Sequence, residues 1–582
     1  MEYANLRYAK MIGVNEYLAI NAIDILLLYG EYVFSRHAGF MIPQNQSNQY
    51  ENNIADFFKQ YNVKPGQYTD VVNALPAIKM RTEQFIHELA ADILTEEPKL
   101  VGCTTCFQQN NASFAILKEI KKLSPATVTM IGGSNCAGQA GLRISKLPFI
   151  DYVFSGEADE VFAEMTDTII HKEGYAGKDL PYGLIQNGRC PEEAPYRVTK
   201  NLNQTPAPDF GDYLECCDKR EITPILLVEG SRGCWWRMKN PCAFCGLDNG
   251  AGLYRVKSSG RLLREIEEQA RKYKTNNFCF TDCLLSREHI TRLPELCEKA
   301  FNKNPSEYKL FCEIKSNVNK EALAGLKKAG FTAMQPGIES LHDDILGLMN
   351  KGGTAINHIA FLKHGRSLGI DMTWNILVGC PQEKPEWIRE MALLFPKLSH
   401  LQAPAAVRHI IYQRNSTYHR RPRAYGLSFR PVRFYQDVYG NDEIFIRDIA
   451  YNFEPVDEVE RGEYYKFTKK GPAYEFLLKS AQDWHADFYQ NKDCLKMIIY
   501  NDRIELLDFR KIAQKNFITL QGITKDIYLL CDDPLDKDEI LSRLTGRYTQ
   551  ADVADSLDFL ASASLTVESQ NKVLSLATVI GV

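Results

Sequence analysis

Residues 230–246 read Gly230-Ser231-Arg232-Gly233-Cys234-Trp235-Trp236-Arg237-Met238-Lys239-Asn240-Pro241-Cys242-Ala243-Phe244-Cys245-Gly246. The segment follows an apolar run, Pro224–Val228, that has the length and composition of a buried strand. Three thiols therefore share one loop at the C-terminal end of a strand. Three cysteine thiolates can hold three irons of a [4Fe–4S] cluster and leave the fourth open to another ligand. Gly233 and Gly246 would let backbone amides approach the sulfides, and Phe244 can cover one cluster face. Two plainer readings compete. Zinc prefers four N/S ligands, usually as two C-x2-C pairs; the other pair, Cys103 and Cys106, lies far upstream on a different strand. Small-residue packing is the second, but three cysteines beside Trp235 and Trp236 make a poor core.

Working outward, residues 215–400 alternate strand and helix patterns. The strands are expected at Pro224–Val228, Asn277–Thr281, Lys309–Ile314, Ala333–Pro336 and Met372–Val378. Helical patterns such as Leu262–Tyr273 and Lys320–Ala329 lie between them. Right-handed crossovers make this an α/β partial barrel of parallel strands, with its chemistry at the strands' C-terminal ends. Residues 1–205 show a second α/β rhythm, read as a Rossmann-like domain, and Asn201–Asp209 is a polar, proline-containing linker. Residues 401–525 have weak periodicity and are read as an α-rich extension. Residues 526–582 give two helices, Asp536–Leu544 and Gln550–Ala563, then a strand pair around Ser569-Gln570-Asn571, the pattern of a winged-helix-like module.

Over 582 residues, 69 Lys+Arg against 73 Asp+Glu leave a net charge of −4, so no global basic field favours nucleic acid as a partner. The longest apolar run, Ile23–Leu28, is broken by Asp24 and falls well short of the ~20 residues that span a bilayer. The opening MEYANLRYAK has no apolar core of a secretory signal. A cytoplasmic setting, where the 16 cysteines stay reduced, is the expectation.

The spacing C-x7-C-x2-C after the first barrel strand resembles the radical S-adenosylmethionine (SAM) superfamily, in a subgroup with a widened cysteine loop. In order follow YRVKS at 254–258, FTDC at 280–283, EIKSN at 313–317, QPGIESL at 335–341, MNKG at 349–352 and WNILVG at 374–379. Together these motifs resemble the cobalamin-dependent radical SAM C-methyltransferases of ribosomal-peptide maturation. The resemblance implies that Cys234, Cys242 and Cys245 hold the [4Fe–4S] cluster. It further implies SAM contacts from Phe244, Gly246, Glu313, Lys315, Ser316, Gly337, Ile338, Glu339, Asn375 and Val378. The N-terminal domain resembles a cobalamin-binding unit. Thr104, Thr105, Gln108, Gln109 and Asn110 would follow its third strand, Gly132, Gly133 and Ser134 its fourth, and Gly156 and Glu157 its fifth. Against the family pattern the chain starts at what resembles the second strand, YANLRYAK, so one βα unit is expected to be missing from the front, and the Asp-x-His-x-x-Gly cobalt-ligating loop is absent. Cys103 and Cys106 read as buried spacers.

The function these readings imply is cobalamin-dependent C-methylation of an unactivated carbon in a precursor peptide, with electrons from a flavodoxin or ferredoxin and no membrane partner. No side chain is assigned as a catalyst. Rival functions are radical SAM chemistry without methyl transfer (cyclisation, epimerisation or transfer of another SAM fragment) and a non-enzymatic, metal-stabilised peptide- or DNA-binding protein.

Overall fold

Apolar positions spaced four apart set the first structural element. Tyr8 and Ile12 lie on one face of the helix Ala4–Ile12 and are buried there. Residues 4–10 of the segment YANLRYAK are thus helix and not the strand expected, because Leu6 and Tyr8 also satisfy a period of two and the short run cannot separate the two patterns. The computed structural model describes residues 4–22, 25–40, 44–60, 65–171, 174–175, 179–189, 191–218, 223–247, 252–300, 307–457 and 471–579. They fall into two compact units.

The first unit comprises Met1–Asn201, Phe244–Gly252 and Ile411–Phe467. Helices account for its front, ending in the long helix Pro65–Leu94. Then come β1 (Leu100–Thr104), β2 (Val128–Gly132), β3 (Tyr152–Phe154) and β4 (Leu184–Gln186). The order is β1-β2-β3-β4, the first three parallel and β4 antiparallel. Met130, Tyr152, Phe154, Met165, Ile169, Tyr175 and Leu184 form a core on this sheet. The expected Rossmann-like character rests on three parallel strands, and the strand series begins about a hundred residues into the chain.

The second unit comprises Leu202–Ala243, Leu253–Ile410 and Thr468–Val582. Its barrel strands are β5 (Leu226–Val228), β8 (Asn277–Phe280), β9 (Lys309–Ile314), β10 (Phe331–Pro336), β11 (Asp371–Met372), β12 (Asn375–Val378) and β13 (Ala406–His409); β6 (Ser231–Arg232) and β7 (Arg255–Val256) form a small ribbon at its mouth. The strands β5, β8, β9, β10 and β11 lie side by side in chain order and pair in parallel. Helices such as Ser259–Tyr273 and Lys320–Lys328 connect them, as right-handed crossovers require.

One expected strand is two. Met372–Val378 breaks at Thr373-Trp374, because the Trp374 carbonyl accepts the Ala405 amide at 2.7 Å and its indole donates to the Gln402 carbonyl at 3.0 Å. That redirects β12 to pair with β13, a sixth barrel position lying past the expected boundary at residue 400.

Residues 401–525 are not an α-rich extension. Residues 411–467 belong to the first unit and 468–582 to the second, and alongside helices such as Pro472–Asn491 they contain strands, among them Phe429–Pro431, Asn452–Pro455, Leu495–Ile499, Arg503–Asp508 and Phe517–Gln521. The C-terminal segment forms helices Lys537–Leu544 and Gln550–Ser562 and a hairpin of Thr566–Ser569 with Lys572–Ser575. Lys363 anchors it to the barrel. Its buried ammonium donates to the carbonyls of Asp532 (2.7 Å) and Ser575 (2.9 Å) and pairs with the Asp532 carboxylate at 2.8 Å. Among the described residues, no helix is long and apolar enough to cross a membrane.

Candidate functional site

The sequence motifs meet at the C-terminal ends of the barrel strands. Directly after β5, the Gly230 amide donates to Asp282 Oδ2 at 2.8 Å and the Ser231 hydroxyl donates to its other oxygen. Burial pushes the Asp282 carboxyl up to about 6, against the pull of those donors. The FTDC motif therefore supplies the tether of the cysteine loop. At Gly233, φ is +85° and a Cβ would meet the Leu253 carbonyl oxygen at 2.4 Å. The residue must be glycine because the chain returns past itself there and backbone fills the space a side chain would need. Gly246 is similar: its Cβ would meet the Arg414 carbonyl oxygen at 2.5 Å, and its amide donates to Gln413 Oε1 at 3.2 Å.

The barrel portion of the loop rests on the MNKG motif. The Ala243 amide donates to the Met349 carbonyl (2.8 Å), the Asn350 side chain donates to the Pro241 carbonyl (2.9 Å), and the Trp236 indole donates to the Asn350 carbonyl (3.4 Å). Gly352, at φ +65°, leaves the Trp236 ring its place, since a Cβ there would lie 2.0 Å from the indole. On its other face Trp236 carries the Lys315 ammonium, 3.7 Å from the ring centroid. Trp235 lies under Arg287, whose guanidinium is 4.5 Å from the centroid. Both tryptophans thus have barrel partners.

Around the thiols the charge is organised. The Lys315 ammonium donates to the Lys351 carbonyl at 2.6 Å, and Lys351 pairs with Glu339 at 2.9 Å. Burial pulls Lys315 down to about 8, with help from Lys351, while Cys242 and Cys234 act in the opposite sense. Burial raises the Cys242 thiol, and Lys351 and then Lys315 pull it back. Burial also raises Glu313, reinforced by Glu339. Thiols beside two ammonium groups are set up to act as thiolates once a metal pays the desolvation cost.

Among the described residues, no three His, Cys, Asp or Glu side chains converge where a single metal ion would be held. A cubane cluster carries its irons at separate corners, each bound by its own thiolate, so its donors need not converge on a single ion. In the second unit, Cys234 and Cys242 with the Lys315 and Lys351 ammonium groups near them are donors of the kind such a cluster takes.

The sequence-derived SAM residues divide by unit. Lys315 and Ser316 are buried just beyond β9, and Glu313 is half-buried at its end. The Gly337 amide donates to the Ile314 carbonyl at 2.9 Å, while Ile338 has a fully buried side chain. Glu339 takes φ +63° and accepts the Leu377 amide at 2.8 Å, which joins the GIE motif to β12. Asn375 and Val378 bound that strand, and the Val378 side chain is buried. Phe244, Gly246 and Cys245 belong to the first unit. Asp282 and Lys351 fall inside the FTDC and MNKG motifs but were given no role from the sequence, and strand β13 was not expected.

In the first unit, the loop after β1 is internally bonded. Thr105 donates to Asn110 Oδ1 (2.7 Å), the Cys106 amide to Gln109 Oε1 (2.9 Å) and Gln108 to the Ile25 carbonyl (3.3 Å). Cβ atoms on Gly133 and Gly156 would meet the Thr105 and Arg197 carbonyl oxygens at 2.4 and 2.2 Å. These glycines serve backbone crossings. Glu157 accepts the Thr199 amide at 2.9 Å, and Ser134 donates to the Cys106 sulfur at 3.1 Å. What the sheet edge leaves to solvent is Thr104, Phe107, Gln109 and Ser134; Phe107 is 65% exposed at φ +49°. Phe107 thus stands exposed in the left-handed region among polar neighbours.

The family model of the radical SAM superfamily matches residues 228–395. An uncharacterised methyltransferase of Pyrococcus horikoshii is 22% identical over 311 residues, 53% of this chain and 66% of that protein. The anaerobic magnesium-protoporphyrin IX monomethyl ester cyclase of Rubrivivax gelatinosus is 23% identical over 340 residues, 56% of this chain and 59% of that protein. The chain thus spans less than two thirds of the length of each, 66% and 59%. Among solved structures, the cobalamin-dependent SAM radical enzyme OxsB with aqua-cobalamin and SAM bound aligns with a TM-score of 0.50 at 15% identity, over 64% of this chain and 58% of that one. That likeness is one of fold. The match and the motif geometry together identify residues 228–395 as a radical SAM domain.

Proposed function

We propose that the chain is a radical SAM enzyme, a cobalamin-dependent methyltransferase acting on carbon, whose substrate is a ribosomally made precursor peptide. The observation that carries the reading is the seating of the C-x7-C-x2-C loop on the barrel's MNKG motif, with Lys315, Lys351, Glu313 and Glu339 at adjacent strand ends. Cys234, Cys242 and Cys245 would hold the [4Fe–4S] cluster, and the residues beyond β9, β10 and β12 would hold SAM. When bound, cluster and SAM supply an adenosyl radical and cobalamin supplies a transferable methyl group. The protein's part is to keep the thiols beside cations, to orient SAM's polar groups and to exclude water. Lys315 and Lys351 offset thiolate charge, and Glu339, bonded through its backbone to β12, fixes the strand-end geometry. A flavodoxin or ferredoxin as electron donor and a cytoplasmic location, where thiols remain reduced, belong to the same reading.

Similarity to the Rubrivivax cyclase favours, as a second reading, radical chemistry that closes a ring without methyl transfer. Anaerobic reconstitution with iron and sulfide, followed by reduction in the presence of SAM, tests the enzyme. The expected products are methionine and 5′-deoxyadenosine, lost together with cluster absorbance in Cys242→Ala. Retained SAM cleavage in that variant would remove the ligand assignment. Methylated peptide with bound corrinoid separates the first reading from the second.

A further inference from the structure

The helix Asn110–Leu123 starts at the C-terminal edge of the parallel sheet, after β1 and its loop. In nucleotide-binding α/β sheets this is the place of a ligand phosphate, held by unbonded N–H groups at the positive end of the helix dipole. Here the place is already filled. Glu31, from the helix Tyr29–Ala38, accepts the Asn110 amide on Oε1 at 2.9 Å and the Asn111 amide on Oε2 at 2.7 Å. The Asn111 side chain donates back to the Glu31 carbonyl at 3.0 Å, which fixes the two helices in register. Glu31 is only 2% exposed, and the Tyr439 phenol hydrogen-bonds its carboxylate from the other side. Two oxygens on two successive first-turn amides is the contact that a phosphate would make.

We propose that Glu31 is a built-in carboxyl group occupying the phosphate position of this fold, so that ligands at this sheet edge are recognised without a phosphate at that helix. Glu31 is thus a specificity-determining residue: mononucleotides and dinucleotides, which depend on that contact, are excluded. A corrinoid would be held by its ring, over the exposed Phe107 and its polar neighbours, and not by the phosphodiester of its nucleotide tail. This last step rests on the cobalamin reading; the assignment of Glu31 does not.

The test uses the full chain, with inorganic pyrophosphate as probe at constant ionic strength. The thermal midpoint of wild type should not respond beyond a chloride control, whereas Glu31→Ala, with its helix amides released, should gain about 3–5 °C at saturation. An equal gain in wild type, or none in Glu31→Ala, overturns the proposal. Should Glu31→Ala fail to fold, Glu31→Gln takes its place: the amide can accept only one of the two N–H groups, and a smaller gain of the same sign is expected. In parallel, cobalamin is titrated into wild type: if it does not bind, the cobalamin reading fails while the pyrophosphate result still decides the role of Glu31.

Discussion

Gly352→Ala should unseat the cysteine loop without touching a cysteine. At φ +65° an alanine is in the left-handed region, at a cost of about 1–2 kcal/mol. The larger effect is steric. The new methyl would lie 2.0 Å from Trp236 Cζ2 and 2.2 Å from Cη2, where carbon contacts need about 3.5 Å, so the indole must move by about 1.5 Å. Displacing it breaks the contact with the Lys315 ammonium, at 3.7 Å, and the indole bond to Asn350; the first is worth about 1–2 kcal/mol for a largely buried pair. Together the penalties come to about 2–4 kcal/mol, a thirtyfold or greater fall in the seated population. Urea denaturation and iron and sulfide content after anaerobic reconstitution read the effect, with Gly347→Ala as control because a Cβ there meets nothing within 4 Å. A Gly352→Ala protein with wild-type stability and full cluster loading would refute the seating argument.

Two buried acids should make stability fall as pH rises. Glu31 and Asp282 are raised by burial to about 7 and about 6, so the folded state holds their protons more tightly than the unfolded chain does. Their unfavourable contribution is absent below pH ~4, grows as pH passes through the folded values and reaches about 3 kcal/mol each above them. Denaturation from pH 5 to 8 should therefore slope downward, and Glu31→Gln should flatten the slope; a pH-independent wild type would contradict this. Lys363→Ala should cost about 2–3 kcal/mol, seen as a lower urea midpoint, because the Asp532 and Ser575 carbonyls lose their buried donor while the Asp532 carboxylate keeps Lys320 at 2.7 Å. A loss under 1 kcal/mol would show that the C-terminal segment is anchored elsewhere.

The barrel was legible because its signals are local. Short apolar runs at βα spacing located β5, β8 and β9, and the thiol spacing marked out the three-cysteine loop. The front of the chain was misread because an eight-residue segment fits helical and strand periods alike, and burial of Tyr8 and Ile12 by the surrounding helices decided between them. The split of β11 from β12 depended on Trp374 meeting residues 402–405, about thirty positions away, which no window along the chain contains. The glycines illustrate the same limit. What makes Gly233, Gly133 and Gly156 necessary lies in the fold: each sits against the chain's own carbonyl oxygens, a contact no pattern along the sequence reveals.

The sequence by itself determined which residues can carry the chemistry: three thiols in one loop, followed by charged residues at successive strand ends. It could do so because those features are covalent neighbours or repeat at a fixed period. Tertiary structure alone decided what surrounds them. Lys351 and Gly352 reach the loop from more than a hundred residues away, and Glu31 reaches a helix some eighty residues downstream to fill the place where a phosphate would sit. Close packing and the need to satisfy buried polar groups act through space, so these partners became visible only in the folded chain.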